Sequence, residues 1–195
     1  MLKKAIVFFL ILGFFAAEAV AGPFGLEKGM SLNAIGGKPE QIALGKYKLT
    51  DVPTPHSAFE AYIVQIAPKS GLCWVKAIGK DVATSSYGSE LKSEFRKMEE
   101  KLGSSYGQHK TLDTLLPGSI WNEPNDWMMG LIKKERILAA VWEAKDGSSL
   151  PPDLQSIALY ASPYAQDKGY ISIEYTFINE DACESELAAK EDGAL

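Results

Sequence analysis

Residues 89–103, SELKSEFRKMEEKLG, constrain the fold most because this segment can bury only one side. Its apolar residues recur every three or four positions and so form one stripe of an α-helix: Leu91, Phe95, Met98 and Leu102. We expect Ser89 to cap the start of the helix and Gly103 to end it. The opposite side is charged, so the helix should pack one face onto a sheet.

Segments typical of β-strands lie on both sides of this helix. Residues 58–67 and 72–79 are separated by the turn PKSG, which predicts a hairpin. Residues 170–178 alternate between apolar and polar side chains, as a strand with one buried face does. The other predicted strands are residues 47–50, 127–132, 137–142 and 156–162.

This order of segments predicts an α+β fold with an antiparallel sheet of about six to seven strands. One long amphipathic helix covers one face of the sheet. Within the predicted hairpin of residues 127–142, Trp127 should lie directly opposite Trp142. A short helical turn should start at Ser31 and end at Gly36.

Residues 1–21 are typical of a cleavable signal peptide. Lys3 and Lys4 precede a short apolar run, and Ala19 and Ala21 form an A-x-A cleavage site. The run is shorter than the roughly 20 residues that a membrane span needs. We therefore expect a periplasmic or secreted protein of a Gram-negative bacterium, beginning at Gly22 and without a membrane span.

The remaining 174 of the 195 residues suit one domain. We assign residues 22–179 to a single α+β domain. Residues 180–195 contain six acidic side chains and should be a C-terminal tail, either a frayed helix or disordered.

The charge of the chain argues against nucleic acid as a partner. The full sequence carries −5, and cleavage removes one net positive charge, which leaves −6. Neutralising phosphates requires lysine and arginine concentrated on one face, and no basic cluster is present.

Two cysteines, Cys73 and Cys183, lie in the mature chain. An even number of cysteines in an exported protein favours a disulfide between them. The alternative is two separate buried thiols. A catalytic thiol pair is disfavoured because the sequence has no C-x-x-C motif.

Motifs for catalysis, cofactors and metals are missing from the sequence. His56 and His109 are too few and too isolated to predict a metal site, and we expect both on the surface. Ser89 and Lys92 form an S-x-x-K pattern, but its companion motifs are absent and a helix cap explains Ser89. We therefore predict no catalytic residues, no cofactor and no metal, although carboxylates can still assemble in space.

The stretch WNEPNDWMMG, residues 121–130, is the remaining candidate for a binding surface. Trp121 precedes a polar turn and, with Glu123 and Asn125, could stack on a sugar or hold a peptide. The alternative, which the usual burial of tryptophan favours, is that Trp121 covers one end of the sheet.

The string PFGLEKGMSL, residues 23–32, resembles the F-G-x-x-x-G-M-[ST] opening of small exported bacterial α+β proteins. These include the small lipoprotein of the outer-membrane β-barrel assembly machine and β-lactamase-inhibitor-like modules. The likeness covers about ten residues, and Gly36-Gly37 and the missing lipid-bearing cysteine depart from the lipoprotein. The resemblance implies a protein-interaction module and no enzyme.

The sequence thus favours an exported, non-enzymatic module that binds a protein or an envelope component. Two alternatives stay open. One is a cell-envelope hydrolase that uses spatially assembled carboxylates, and it predicts a cleft with a carboxylate of raised pKa. The other is a secreted inhibitor or immunity-type protein whose acidic charge suits a basic target.

Overall fold

The computed structural model describes residues 22–193. The expected signal peptide, residues 1–21, lies outside the described residues. The helices are α1 (Leu32–Ile35), α2 (Ser89–Tyr106), α3 (Trp127–Ile132) and α4 (Glu180–Asp192). The strands are β1 (Glu40–Ala43), β2 (Lys46–Leu49), β3 (Phe59–Ala67), β4 (Gly71–Gly79), β5 (Val82–Ala83), β6 (Lys110–Leu115), β7 (Arg136–Glu143), β8 (Leu154–Ala165) and β9 (Lys168–Phe177).

All nine strands join one antiparallel sheet with the order β1-β2-β3-β4-β9-β8-β7-β6, and the short β5 also pairs with β9. A helix followed by a four-stranded meander occurs twice, as α1 with β1–β4 and as α2 with β6–β9. The two meanders meet through their last strands, so their first strands, β1 and β6, become the edges of the sheet. The predicted α+β class is confirmed, but the sheet has more strands than the six to seven expected, and α3 and α4 accompany the one long helix that we predicted.

The main core lies between one face of the sheet and α1, α2 and α3. The predicted stripe of α2 is confirmed, since Leu91, Phe95, Met98 and Leu102 are all buried in this core. Helix α2 packs on β8 and β9, and α3 packs on β7 and β8. The sheet contributes the apolar residues of β9 to this core, as the alternation predicted: Ile171, Ile173, Tyr175 and Phe177.

Both ends of α2 differ from the prediction. Gly103 does not end the helix, which continues to Tyr106 and stops at Gly107 with φ 77°. A glycine inside a helix costs only about 1 kcal/mol relative to alanine, so it does not by itself terminate a helix. At the other end, Ser89 is the first helical residue and the cap position is Gly88, with φ 68°.

The prediction of a strand at residues 127–132 is wrong. These residues form α3, which follows a 3-10 turn at Pro124–Asp126. Trp127 therefore does not pair with Trp142, although both are buried. The six residues WMMGLI are too short and too apolar for periodicity to separate a helix from a strand.

Strand β7 pairs with β8 on one side and with β6 on the other, and β6 is a strand that we did not predict. Its sequence KTLDTL pairs in unbroken register with β7, from Lys110↔Val141 to Leu115↔Arg136. Its first five residues are exposed. Because burial does not alternate along β6, its sequence shows no alternation of apolar and polar residues, and we did not predict this strand.

Residues 180–192 form α4, which packs on β3 and β4 and is not the frayed or disordered tail that we expected. Cys183 forms a disulfide with Cys73 on β4, so the predicted pairing is confirmed and the alternative of two free thiols is wrong. Both cysteines are fully buried beside Ala67 and Leu187 in a cluster separate from the main core. No helix among residues 22–193 is long and apolar enough to cross a membrane.

Candidate functional site

One face of the sheet lies opposite the main core. We call it the open face. Along each strand its residues alternate with core residues, so it includes Trp74, Lys76, Leu112, Ile137, Val141, Ala158, Tyr160, Tyr164, Tyr170, Ser172 and Glu174. Helix α4 packs on this side against β3 and β4 at one end of the sheet. Across β9, β8, β7 and β6, none of the described helices covers it.

An ion pair occupies the middle of the open face. Lys76 on β4 and Glu174 on β9 are directly opposite each other, and Lys76 Nζ lies 2.9 Å from Glu174 Oε1. Each side chain keeps only about a quarter of its surface exposed. Burial raises the pKa of neighbouring Tyr160, and the charge of Glu174 raises it further. The phenol thus stays protonated at neutral pH and can donate a hydrogen bond.

Aromatic side chains lie on the same face of the sheet as this ion pair. Trp74 lies beneath Lys46, whose Nζ is 5.6 Å from the ring centroid. Tyr164 and Tyr170 lie against each other with centroids 4.6 Å apart, and Tyr164 is exposed. Large rings with polar tips are enriched where proteins bind partners, since they combine apolar area with hydrogen bonding.

The part of the open face on β6, β7 and β8 is mainly apolar. Leu112 and Ile137 are about half exposed, and Val141 and Ala158 lie beside each other on paired strands. Four of the large apolar side chains exposed among residues 22–193 lie on or near β6: Leu112, Leu116, Ile120 and Ile137. Exposed apolar side chains that are concentrated in one region mark an interaction site more often than scattered ones do.

A separate cleft of about 490 Å³ lies at the C-terminal end of α2. Tyr106, Leu154 and Phe177 form its apolar lining, and the ion pair of Lys28 with Asp153 contributes polar groups. Its volume lies within the range of small-molecule pockets. The cleft has two carboxylates, Glu27 and Asp153. Because Asp153 is paired with Lys28, the cleft offers no pair of free carboxylates for acid–base catalysis.

The three residues predicted as a possible ligand surface lie in the segment between β6 and α3. Trp121 is half-buried, and its amide donates a 3.2 Å hydrogen bond to the Ser119 hydroxyl. Glu123 and Asn125 are exposed on either side of Pro124. None of the three lies on a strand of the open face or lines the cleft.

The two histidines are in different environments. His56 is exposed, as expected, and its Nδ1 accepts a 3.1 Å hydrogen bond from the Ala58 amide. His109 is not an isolated surface residue, because its ring stacks on Trp142 and its Nε2 lies 3.1 Å from Glu99 Oε1. Within residues 22–193, no three His, Cys, Asp or Glu side chains are grouped to hold a metal ion.

Within residues 22–193, Glu180 is a carboxylate whose pKa is raised. Partial burial raises the pKa of Glu180, and the nearby carboxylates of Glu184, Asp181 and Glu174 raise it further. Glu180 starts α4 beside the open face and does not line the cleft.

Comparison with known proteins gives no relative: no protein-family model, curated protein or solved structure matches this chain. The likeness of residues 23–32 to exported interaction modules therefore stays a resemblance of sequence pattern.

Proposed function

We propose that the protein is an exported, non-enzymatic binding module that recognises a protein or envelope component through the open face. The single observation that carries this proposal is the face itself. It is a broad sheet surface with half-buried aromatic and charged side chains at its centre and exposed apolar side chains toward β6.

The chemistry of the open face supports recognition better than catalysis. Lys76 and Glu174 neutralise each other, so a partner meets a satisfied ion pair on a face that also carries aromatic side chains. Such partly desolvated polar groups fix the orientation of a bound partner, and the apolar area around them contributes most of the binding energy.

The hydrolase alternative has less support. It predicts a cleft that contains a carboxylate of raised pKa, whereas Glu180 lies outside the cleft and among other carboxylates. The inhibitor or immunity-type alternative is a special case of the binding proposal. The dependence of binding on salt concentration distinguishes it from the general case. Capture of a basic partner that weakens steeply with ionic strength would favour it.

Two matched tyrosine variants test the proposal. Tyr164 on the open face is 55% exposed, and Tyr87 before α2 is 52% exposed. We expect Tyr164→Ala to reduce the recovery of a specific partner in a pull-down from envelope extract, and Tyr87→Ala to leave recovery unchanged. Circular dichroism confirms that both variants are folded. Equal recovery by both variants, or no reproducible partner, would argue against the open face.

A further inference from the structure

The edge strand β6 has backbone groups that no described residue pairs. The Leu116 amide donates to the Glu135 carbonyl across the β6–β7 ladder. Successive residues of an antiparallel strand turn their backbone groups alternately toward and away from the partner strand. The N–H and C=O groups of Thr111 and Asp113 therefore point away from β7 into solvent.

Strand β6 carries the charged residues Lys110 and Asp113, but it contains no bulge and no proline to prevent strand pairing. Its register with β7 contains no bulge, and its first five residues are exposed. Natural sheets commonly protect an edge with a bulge, a proline or a very short strand, because an open edge is a template for another strand. Leu112 in the middle of β6 is 48% exposed and is one of the four exposed apolar side chains near this edge.

We propose that the occupant of this edge is a second copy of the same chain. Two β6 strands pair antiparallel about a two-fold axis at Leu112, and the two sheets become one continuous sheet. The inference does not depend on the proposed function of the open face.

Self-complementarity supports a second copy as the partner. With Leu112 opposite the partner's Leu112, Thr111 lies opposite the partner's Asp113. These are the residues whose backbone groups point outward, so each such pair can exchange both N–H···O bonds. In the same register Lys110 meets the partner's Thr114, and no like charges oppose each other.

The neighbouring registers are less favourable. Shifting the axis to Asp113 would place two carboxylates directly opposite each other, which destabilises a strand pair. Shifting it to Thr111 shortens the overlap of the two strands. A shift of the pairing by one residue would put open-face residues of one copy opposite core-side residues of the other.

Pairing about Leu112 also joins the open faces. Leu112 and Ile137 lie on this face, so both copies bring them to the junction on the same side. The paired leucines then bury apolar surface that is exposed in the single chain.

Analytical ultracentrifugation across a dilution series tests the proposal with a matched control. Ile42 on the opposite edge strand β1 is 47% exposed, close to the value for Leu112. We expect the wild-type chain and Ile42→Lys to dimerise alike. In Leu112→Lys two ammonium groups face each other at the axis, so its association constant should fall by about tenfold or more. A monomeric wild type, or equal weakening by both variants, would overturn the proposal; a monomer would leave the edge available to a strand of a different protein.

Cysteine cross-linking tests the register. Directly opposed residues that are not a hydrogen-bonded pair lie about 4.5 Å apart at Cα, a separation that a disulfide can span. We expect Leu112→Cys to form a covalent dimer under mild oxidation, whereas Thr114→Cys, which faces the partner's Lys110, should not. The native disulfide is fully buried and should not exchange. Equal cross-linking of both variants, or of neither, would contradict the register.

Discussion

The two edges of the sheet hold equivalent places in the two meanders but differ in how they are protected. Strand β1 has four residues and a register irregularity between Gln41 and Ala43. Strand β6 has six residues and an unbroken register. A bulge twists an edge and interrupts its row of backbone groups, so β1 is a poor template and β6 a good one.

Helix α4 extends the same difference to the open face. Leu187 of α4 reaches Gly45, in the turn between β1 and β2, and the disulfide anchors α4 to β4. Glu186 of α4 also accepts hydrogen bonds from the amides of Lys69 and Ser70 at 2.7 and 3.0 Å. On the open face, no described helix lies over β6, β7 and β8. One side of the protein is thus closed by a bulge and a helix, and the other is available for binding.

Of the changes that test this difference between the two sides, removal of the disulfide should reduce the free energy of unfolding most. Cys73 and Cys183 are 110 residues apart, and closing a loop of that size stabilises the fold by about 4 to 5 kcal/mol through the entropy of the unfolded chain. We expect the double variant Cys73→Ala/Cys183→Ala to lose about that much free energy of unfolding in urea.

The same variant should lose protection against hydrogen exchange in α4, because few other side chains of this helix are buried. Protection in β6 and β7 should change only through global stability. An unchanged unfolding midpoint, or loss of protection centred on β6, would contradict the role assigned to the disulfide.

Gly45→Ala should have the next largest effect. Gly45 has φ 68°, and an added Cβ would lie 2.6 Å from the Leu187 side chain. A strained backbone of this kind costs about 1 to 3 kcal/mol. The control is Gly36→Ala, which shares a positive φ but meets nothing within 4 Å. Thermal unfolding should show a greater loss for Gly45→Ala, and an equal or smaller loss would mean that α4 does not close the β1 side.

Asp113→Asn sharpens the account of the β6 edge. Arg136 Nη1 lies 2.7 Å from Asp113 Oδ1, and the carboxylate is nearly half exposed. Exposed ion pairs contribute about 0 to 1 kcal/mol, so the monomer should lose little stability. The dimer should persist, because Asp113 faces the partner's Thr111 in the proposed register. Dissociation of this variant in the ultracentrifuge would show that the register is wrong.

The smallest effect concerns the pH dependence of α4. The folded-state pKa of Glu180 is raised above its unfolded value, so its contribution to stability is greatest at low pH. That contribution is lost as pH rises from the ordinary range of a glutamate carboxyl through the raised pKa. We expect Glu180→Gln to reduce the pH dependence of hydrogen exchange in α4 over this range. A variant with the same pH profile as the wild type would exclude Glu180 as its source.

Much of the fold could be predicted where burial is one-sided. The stripe of α2 and the alternation of β9 each repeat the period of their element over several residues, so the pattern identifies both. Residues 127–132 are apolar on all sides, so their hydrophobic pattern does not distinguish a helix from a strand. Pro124 and Asp126 before this segment are typical of a helix start and could have indicated α3.

The candidate site was harder to predict than the fold. The alternation of residues 170–178 predicted a polar side of β9, but Ser172 on that side is fully buried. Nothing local indicates that Glu174 pairs with Lys76 from β4. Strand β6 escaped prediction because exposure on both sides leaves no periodic signal. Exposure of its side chains makes an edge strand accessible to a partner, and the same exposure makes its sequence resemble that of a loop.

Hydrogen exchange at two protein concentrations tests the central claim most directly. We expect the amides of Thr111 and Asp113 to exchange more slowly at the higher concentration, because a second β6 accepts their hydrogen bonds. Amides of β1 should exchange at the same rate at both concentrations. Exchange at β6 that does not depend on concentration, or slowing at β1 instead, would contradict the assignment of β6 as the open edge.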